Sequence, residues 1–219
     1  MKAAFLSDLH NSAASAEKAL CSLEENKPSV ILFSGDAVNR INKKCDTALD
    51  FIQKASRIAP LFISLGNHEL SGDFEDFPSQ ARGRGAVVLD NRFTRFGSLC
   101  VGGLSFIWDW ESEDIKEKRE KFLEDFCSFD GFKLLLSHVP AYYTEFLRDM
   151  DIDLILSGHS HGGQIGLGKR GLYAPDQGLF PKYVGDFYDN RLIVSRGLGQ
   201  TAALPRFFNP YEIIYITFN

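Results

Sequence analysis

The sequence predicts an α/β protein in which two mixed β-sheets pack face to face and helices cover both outer faces. Three observations lead to this prediction. Short apolar runs alternate with helical stretches in the first half, which is typical of parallel strands joined by right-handed crossovers. The middle segment has short runs separated by turn residues, and buried-strand patterns then return. With 219 residues and no repeat or linker, the chain is expected to form a single domain over residues 1–219.

The first half supplies three strands and two helices. "KAAFLS", "SVILFSG" and "LFISLGN" are apolar runs of strand length. Between them lie "SAASAEKALCSLEEN", capped by Asn11 or Ser12, and "CDTALDFIQKASRIA". Both have the apolar spacing of amphipathic helices. This strand–helix–strand order predicts parallel pairing of the three strands.

The later elements complete the two sheets. "GAVVLDNRFTRFGSLCVGGLSF" has turn residues at Asp90-Asn91 and Gly97-Ser98, a pattern that favours antiparallel strands. "ESEDIKEKREKFLEDFCSF" has the charge density of a largely solvated helix. The last strands are "FKLLLSH" and "DLILSGH", with a short helix between them, followed by "RLIVSRG" and "YEIIYITFN".

Composition excludes several classes of partner. The net charge of −5 and the scattered basic residues argue against binding of long nucleic acid or of an anionic membrane through a polybasic patch. No apolar segment has the length of a membrane span, and the opening "MKAAFLSDLH" lacks a signal-peptide pattern. The four cysteines form no C-x-x-C pair, as expected for reduced thiols. We therefore expect a cytoplasmic protein; the sequence gives no indication of its oligomeric state.

All five histidines follow apolar runs, in "AAFLSDLH", "LFISLGNHE", "KLLLSHVP" and "LILSGHSH", and "VILFSGD" ends similarly in an aspartate. The C-terminal ends of strands in an open α/β sheet line the crevice where ligands bind. Each residue alone is more often a loop, cap or turn residue, but their shared position favours a site. The candidates are Asp8, His10, Asp36, Asn67, His68, His138, His159 and His161.

This set of side chains suits divalent metal ions. Imidazole nitrogens with carboxylate and amide oxygens are typical ligands of Mn²⁺, Fe²⁺ or Zn²⁺. The candidates outnumber the ligands that one ion needs, which indicates two ions with Asp36 as the natural bridge. The neighbouring glycines Gly35, Gly66, Gly158 and Gly162 allow sharp turns or close approach to a metal or phosphate.

Five short motifs carry a resemblance to a known family. "SDLH", "GDAVNR", "GNHE", "SH" and "GHSH" resemble, in order, the D-x-H, G-D-x-x, G-N-H-[DE], H and G-H-x-H blocks of calcineurin-like metallophosphoesterases. All five blocks are intact between Asp8 and His161. The extension "GHSHGGQI", with "FPKYVGDFY" and "SRGLG", is similar to a bacterial branch that includes membrane-associated phosphodiesterases and a lipid-A-pathway hydrolase.

The resemblance implies a dinuclear metal-dependent phosphohydrolase. Each metal would have three ligands of its own: Asp8, His10 and His161 for one, and Asn67, His138 and His159 for the other. Asp36 would bridge them, and a metal-bridging hydroxide would be the nucleophile. His68 would protonate the leaving alkoxide as general acid. The expected substrate is a small phosphorylated molecule, with a phosphodiester favoured over a monoester and manganese among the expected metals.

Substrate-side residues are less clearly marked. Asn39 stands where many relatives carry a second acid that orients the proton-donating histidine, and an amide supports an imidazolium less well. Arg40 is a candidate for binding a phosphate oxygen, and is equally well explained as a surface residue near a helix start. Gln164 and Arg196 are further candidates for the same edge.

Other functions remain open at this point. Hydrolysis of a lipid-linked or nucleotide pyrophosphate predicts an apolar groove or exposed patch with peripheral lipid contact, for which "FEDF" and "RFFNPY" are candidates. "FIWDW" could form a wall or lid over the site, or ordinary core. A short oligonucleotide or cyclic nucleotide is also compatible. A degenerate scaffold that binds partners without catalysis would have lost ligands, and none is missing here.

Overall fold

Two β-sheets form the centre of the computed structural model, which describes residues 1–41, 43–167, 170–174, 177–200 and 206–218. The first sheet contains, in spatial order, β15 (Ile214–Thr217), β1 (Lys2–Leu6), β2 (Val30–Phe33), β3 (Leu61–Ile63) and β4 (Ala86–Val88). The second contains β13 (Asp186–Tyr188), β14 (Leu192–Val194), β8 (Leu154–Ser157), β7 (Phe132–Ser137), β6 (Leu99–Leu104) and β5 (Arg92–Phe96). Strands β15, β13 and β5 run antiparallel to their neighbours and the other pairs are parallel, so both sheets are mixed.

Helices cover the outer face of each sheet. Helices α1 (Ala13–Asn26), α2 (Asp46–Ile58) and α3 (Phe77–Gly83) share a core with the first sheet, and α4 (Glu113–Cys127) packs on the second. The Ser12 hydroxyl accepts a hydrogen bond from the Ser15 amide, so Ser12 is the cap of α1. Two short antiparallel pairs, β9 (Gly166–Leu167) with β10 (Arg170–Gly171) and β11 (Tyr173–Ala174) with β12 (Gly178–Leu179), follow β8.

The apolar runs are continuous because each central strand is buried on both faces. Along β1, Ala3 and Phe5 join the core between the sheets, whereas Ala4 and Leu6 face the helices. Successive side chains of a strand point to opposite faces, so a strand covered on both sides needs apolar residues at every position. The predicted arrangement of helix, sheet, sheet and helix layers is therefore confirmed.

The middle segment differs in part from the prediction. Strands β5 and β6 are antiparallel about Gly97-Ser98 as expected, but β4 pairs in parallel with β3 in the first sheet. The chain crosses from one sheet to the other at Asp90-Asn91. There the side chains of both residues accept hydrogen bonds from Ser105, at 2.8 Å and 3.1 Å. This dipeptide therefore connects two sheets and does not turn one antiparallel pair.

Two predictions about the whole chain can be compared with the structure. All four cysteines are free thiols, as expected. Within the described residues, every helix is too short or too polar to cross a lipid bilayer.

Candidate metal centre

The predicted site residues lie at the C-terminal edge of five parallel strands. Asp8 and His10 follow β1, Asp36 follows β2, Asn67 and His68 follow β3, His138 follows β7, and His159 and His161 follow β8. All eight side chains are buried. Since β1 to β3 belong to one sheet and β7 and β8 to the other, the edge is shared by both sheets.

The first group consists of Asp8, His10 and His161, whose ligand atoms lie within 4.8 Å of one another. The Nε2 atoms of His10 and His161 are 3.1 Å apart. Asp8 Oδ1 lies 3.7 Å from each of them. Three potential ligand atoms thus lie close enough together to bind one metal ion.

The second group consists of Asp36, His138 and His159. His138 Nε2 lies 3.2 Å from Asp36 Oδ2 and 3.1 Å from His159 Nδ1. Asp36 also reaches toward the first group, because its Oδ2 is 3.9 Å from His10 Nε2. Among the described residues, Asp36 also belongs to a third group, with His10 and His68, and therefore lies between the first group and the second.

Hydrogen bonds fix the orientation of two of the imidazole rings. His10 Nδ1 faces the Val38 carbonyl oxygen at 3.3 Å, and His138 Nδ1 faces the Ser34 carbonyl oxygen at 2.8 Å. A carbonyl oxygen accepts only, so in each ring Nδ1 carries the hydrogen and the neutral ring keeps a lone pair on Nε2. This is the arrangement in which proteins usually present histidine to a metal.

The donor set fits divalent cations. Asn67 Oδ1 is buried and has no hydrogen-bond partner among the described residues. A buried amide oxygen left in this way is unfavourable by about 1–3 kcal/mol unless another group binds it. Together with imidazole nitrogens and ionised carboxylates, it forms the mixed nitrogen and oxygen environment that manganese, iron and zinc accept.

Burial and mutual proximity set the charge of these groups. Burial alone would raise the pKa of both acids, but His161 and His138 hold the pKa of Asp8 and Asp36, respectively, well below the ordinary value. Burial opposes protonation of His138, yet Asp36 raises its pKa to about 10. Burial lowers the pKa of His161 to about 3 and that of His68 to about 4. The acids are therefore ionised, which is the form that ligates metal. The rings of His161 and His68 are neutral, whereas His138 is protonated beside Asp36 and would release that proton when a metal binds.

The backbone at the site is strained. Non-glycine residues with left-handed φ angles include five of the predicted ligands: Asp8 (53°), His10 (49°), Asp36 (59°), His159 (65°) and His161 (48°). Each such conformation is unfavourable by about 1–3 kcal/mol and persists only where the surrounding structure enforces it. Strain of this kind clusters at functional sites.

The four predicted glycines fall into two classes. Gly35 and Gly162 have φ angles of 98° and 63°, a conformation that favours glycine. Gly66 and Gly158 have no left-handed φ, but a Cβ atom would overlap Asp36 Oδ1 at the first and Asp8 Oδ2 at the second. The structure therefore contains both roles expected of these glycines: a sharp turn of the backbone at Gly35 and Gly162, and close approach of the backbone to a site carboxylate at Gly66 and Gly158.

Glu69 is a site residue to which the sequence interpretation assigned no role. Its buried carboxylate accepts hydrogen bonds from the backbone amides of Asp36 and Gly66, both at 2.8 Å, and of Val38 at 3.0 Å. Burial and then the charge of Asp36 raise the pKa of Glu69. Its position directly after His68 in "GNHE" was the available signal.

Two further neighbours of the site come from the C-terminal segment. Arg206 Nη2 donates to His161 Nδ1 at 3.1 Å, and Asn209 Nδ2 donates to the His161 carbonyl oxygen at 2.6 Å. Both lie within "RFFNPY", a segment for which the sequence analysis considered only an apolar patch formed by the phenylalanines. No local pattern marks either residue, because the contact arises only when the chain returns to the site.

His68 has a different neighbour from the one expected. The backbone amide of Arg40 donates to His68 Nδ1 at 3.0 Å, while the Arg40 side chain is exposed. Asn39 Oδ1 accepts a hydrogen bond from the Ile41 amide at 2.9 Å. The main chain, and not the residue at the Asn39 position, therefore orients this imidazole.

Arg196, Gln164 and the aromatic segment "FIWDW" are the remaining candidates from the sequence. The Arg196 side chain lies beside Glu212, with Nε 3.9 Å from Oε2, and the Gln164 carbonyl oxygen accepts a hydrogen bond from Asn209. In "FIWDW", the Phe106 ring lies 6.3 Å from that of His159, and Trp108, 54% exposed, packs on Phe106. This segment therefore flanks the site.

The two phenylalanine-rich segments differ in burial. Phe74 and Phe77 of "FEDF" belong to the core, so an exposed patch there is ruled out. Phe207 and Phe208 of "RFFNPY" are exposed, Phe208 by 90%. Of these two segments, only "RFFNPY" therefore presents exposed apolar side chains beside the site.

Comparisons with known proteins identify the family to which the chain belongs. A family model described as Calcineurin-like phosphoesterase matches residues 1–163. YkoQ of Bacillus subtilis, named an uncharacterized metallophosphoesterase, is 27% identical over 227 residues, which cover 96% of this chain and 80% of YkoQ.

Solved structures share the fold. TT1561 of Thermus thermophilus superposes with a TM-score of 0.63 at 13% identity, covering 90% of this chain and 89% of that chain. Yfce, a phosphoesterase from E. coli, superposes with a TM-score of 0.55 at 11% identity, covering 99% and 88%. With the family model matched from the first strand through the last histidine motif, the chain is a metal-dependent phosphoesterase and belongs to the calcineurin-like phosphoesterase family.

Proposed function

We propose that this enzyme hydrolyses a phosphodiester of a small molecule at a pair of divalent ions. The proposed ligands are Asp8, His10 and His161 for one ion, Asn67, His138 and His159 for the other, and Asp36 for both. The observation that carries the proposal is the convergence of two buried ligand groups on either side of one carboxylate. When bound, two such ions polarise the phosphoryl oxygens and supply the hydroxide nucleophile.

His68 is proposed as the general acid. Its Nδ1 accepts a hydrogen bond from the Arg40 amide, so the neutral ring keeps its hydrogen on Nε2, the atom 3.8 Å from Asp36 Oδ2. That hydrogen lies on the side of the ring that faces the ligand groups. A hydrogen bond from Nε2 would stabilise the charge that develops on the leaving oxygen as its P–O bond breaks. Full transfer of a proton to that oxygen would use the imidazolium form of His68, which burial disfavours by lowering the pKa to about 4.

The charges near the site favour a diester over a monoester. A phosphomonoester dianion needs more positive charge than a diester monoanion. Near the site, however, the Arg206 guanidinium is bound to His161 and to two carbonyl oxygens, and Arg196 lies beside Glu212. The exposed Arg40, next to His68, is the proposed contact with a phosphate oxygen. The net charge of −5 supports a small substrate over a long nucleic acid.

A second candidate function is hydrolysis of a lipid-linked or nucleotide pyrophosphate. It is favoured by the exposure of Phe207 and Phe208 directly before Asn209, whose side chain is bonded to His161. An apolar substrate tail would cover these rings. The similarity of "GHSHGGQI" to a bacterial branch with lipid-pathway members supports the same idea.

For either substrate we propose a single-domain enzyme located in the cytoplasm. Its free cysteines are consistent with that reducing compartment.

The test uses metal-depleted protein reloaded with Mn²⁺, assayed on bis-p-nitrophenyl phosphate and p-nitrophenyl phosphate. We expect metal-dependent hydrolysis, faster on the diester, which His138→Ala and Asp36→Asn abolish and the exposed control Glu75→Gln preserves. Preference for the monoester would overturn the assignment as a diesterase. Turnover confined to a pyrophosphate with an apolar tail would establish the second candidate. Protein that binds two ions and hydrolyses none of these substrates would indicate a scaffold.

A further inference from the structure

Arg206 places a fixed positive charge behind one of the proposed metal ligands. Its Nη2 donates to His161 Nδ1 at 3.1 Å, whereas the opposite ring nitrogen, Nε2, faces His10 Nε2 at 3.1 Å and Asp8 Oδ1 at 3.7 Å. The imidazole of His161 therefore lies between the guanidinium and the proposed metal position. A cation behind a ligand of another cation is electrostatically unfavourable and calls for an explanation.

The guanidinium is held in this place by several contacts. Nη1 donates to the Arg196 carbonyl oxygen at 2.6 Å, Nη2 also donates to the Gly199 carbonyl oxygen, and the guanidinium lies over the Tyr211 ring at 4.5 Å. Gly199 is itself tied to the site, because its amide donates to the Asp8 carbonyl oxygen at 2.6 Å. Movement of Arg206 away from His161 would break several of these contacts together.

Two of the other proposed ligand rings, His10 and His138, are supported in the opposite sense. His10 and His138 each face a backbone carbonyl through Nδ1, at Val38 and Ser34, respectively. A carbonyl accepts the ring hydrogen and makes Nε2 a better metal ligand. A guanidinium can only donate. At His161 it draws electron density from the ring and favours the neutral form that carries its hydrogen on Nε2.

From this contrast we infer that Arg206 is a positioning residue that makes the Asp8, His10 and His161 site the weaker of two metal sites. The inference rests on the ligand sets of the proposed function. The Asp36, His138 and His159 site fills first, and the second ion binds less tightly and exchanges with the medium. Full loading of the enzyme then depends on the surrounding metal concentration, through a residue that ligates neither ion.

Calorimetric titration of metal-depleted protein with Mn²⁺ tests the inference without an activity assay. The wild-type protein is expected to show two binding events of unequal affinity. His161→Ala should remove the weaker event and His138→Ala the tighter one. Arg206→Gln and Arg206→Met should each tighten the weaker event by about 10- to 100-fold and leave the tighter one unchanged. Arg206→Lys, which keeps the charge, should stay close to the wild-type protein.

Several results would overturn the inference. These are an unchanged weaker affinity in both neutral variants, loss of the tighter event in His161→Ala, or a parallel weakening of both events, which would mark Arg206 as purely structural. Thermal unfolding of each metal-free variant identifies any that fails to fold, and two neutral side chains are tested so that one failure leaves the other decisive. Wild-type protein that binds no ion would refute the proposed function instead.

Discussion

The carboxylate of Glu69 accepts a hydrogen bond from the backbone amide of Asp36 at 2.8 Å, so one buried acid holds the main chain of another. Asp36 in turn accepts a hydrogen bond from the His68 amide at 2.9 Å. These reciprocal bonds join the loop after β2 to the loop after β3. The carboxylate proposed to bridge two metals is thus fixed in direction before any metal binds.

Replacement of Glu69 by glutamine is expected to destabilise the protein by about 1–3 kcal/mol, because one carboxylate oxygen becomes an amide group that cannot accept the backbone hydrogens facing it. Urea denaturation of metal-free protein measures the change. The exposed Glu75→Gln is the matched control and should change the free energy of unfolding by less than about 0.5 kcal/mol. Equal stability of the two variants would contradict the importance of the Glu69 contacts.

Gly158→Ala is expected to weaken metal binding at the site of Asp8. The new methyl group would overlap Asp8 Oδ2, and since Gly158 has no left-handed φ, the substitution tests steric displacement alone. We expect affinity for the ion at this site to fall by about tenfold or more, measured by metal titration. Gly72→Ala, around which a Cβ meets nothing within 4 Å, is the control. Wild-type affinity in Gly158→Ala would show that Asp8 is free to move.

His68→Asn should slow hydrolysis according to the leaving group. For an alkyl phosphodiester, loss of the proton donor is expected to reduce kcat by about 10²- to 10⁴-fold. For a p-nitrophenyl ester the loss should be much smaller, because p-nitrophenolate leaves without protonation. The ratio of the two kcat values is the measurement, and metal content should stay at the wild-type value. An equal loss on both substrates would argue against a general-acid role.

The metal-free protein should be most stable near pH 6.5, the ordinary histidine pKa. In the folded chain the pKa values of His161 and His68 are lowered to about 3 and about 4, so the unfolded chain binds more protons below pH 6.5 and stability rises with pH there. The pKa of His138 is raised to about 10, so the folded chain binds more protons above pH 6.5 and stability then falls.

Urea denaturation with a chelator between pH 4 and pH 10, the limits set by these groups, measures this dependence. His138→Ala should remove most of the alkaline decline and leave the acid side in place. A decline of the same size in that variant would assign the titration to another group.

The ligand positions could be predicted from the sequence because each follows a continuous apolar run, and that local pattern already fixes the end of a buried strand. The residues that contact His161 could not be predicted in this way. Arg206 and Asn209 reach it only because the chain beyond β14 folds back over the site. The sequence also did not show to which sheet β4 belongs, since the apolar residues Ala86–Val88 are compatible with parallel pairing in the first sheet or antiparallel pairing in the second. Local pattern therefore located the proposed ligands, whereas their supporting contacts depended on tertiary structure.

Each proposed ligand group draws residues from both sheets, since Asp8, His10 and Asp36 come from one and the histidines after β7 and β8 from the other. An ion bound there would link the two sheets. Because the unfolded chain cannot reproduce its coordination, binding of the ion would stabilise the folded state. Free metal at a hundred times the dissociation constant would add about 2.7 kcal/mol to the free energy of unfolding. Metal starvation would therefore lower the stability of the folded enzyme as well as stop its turnover.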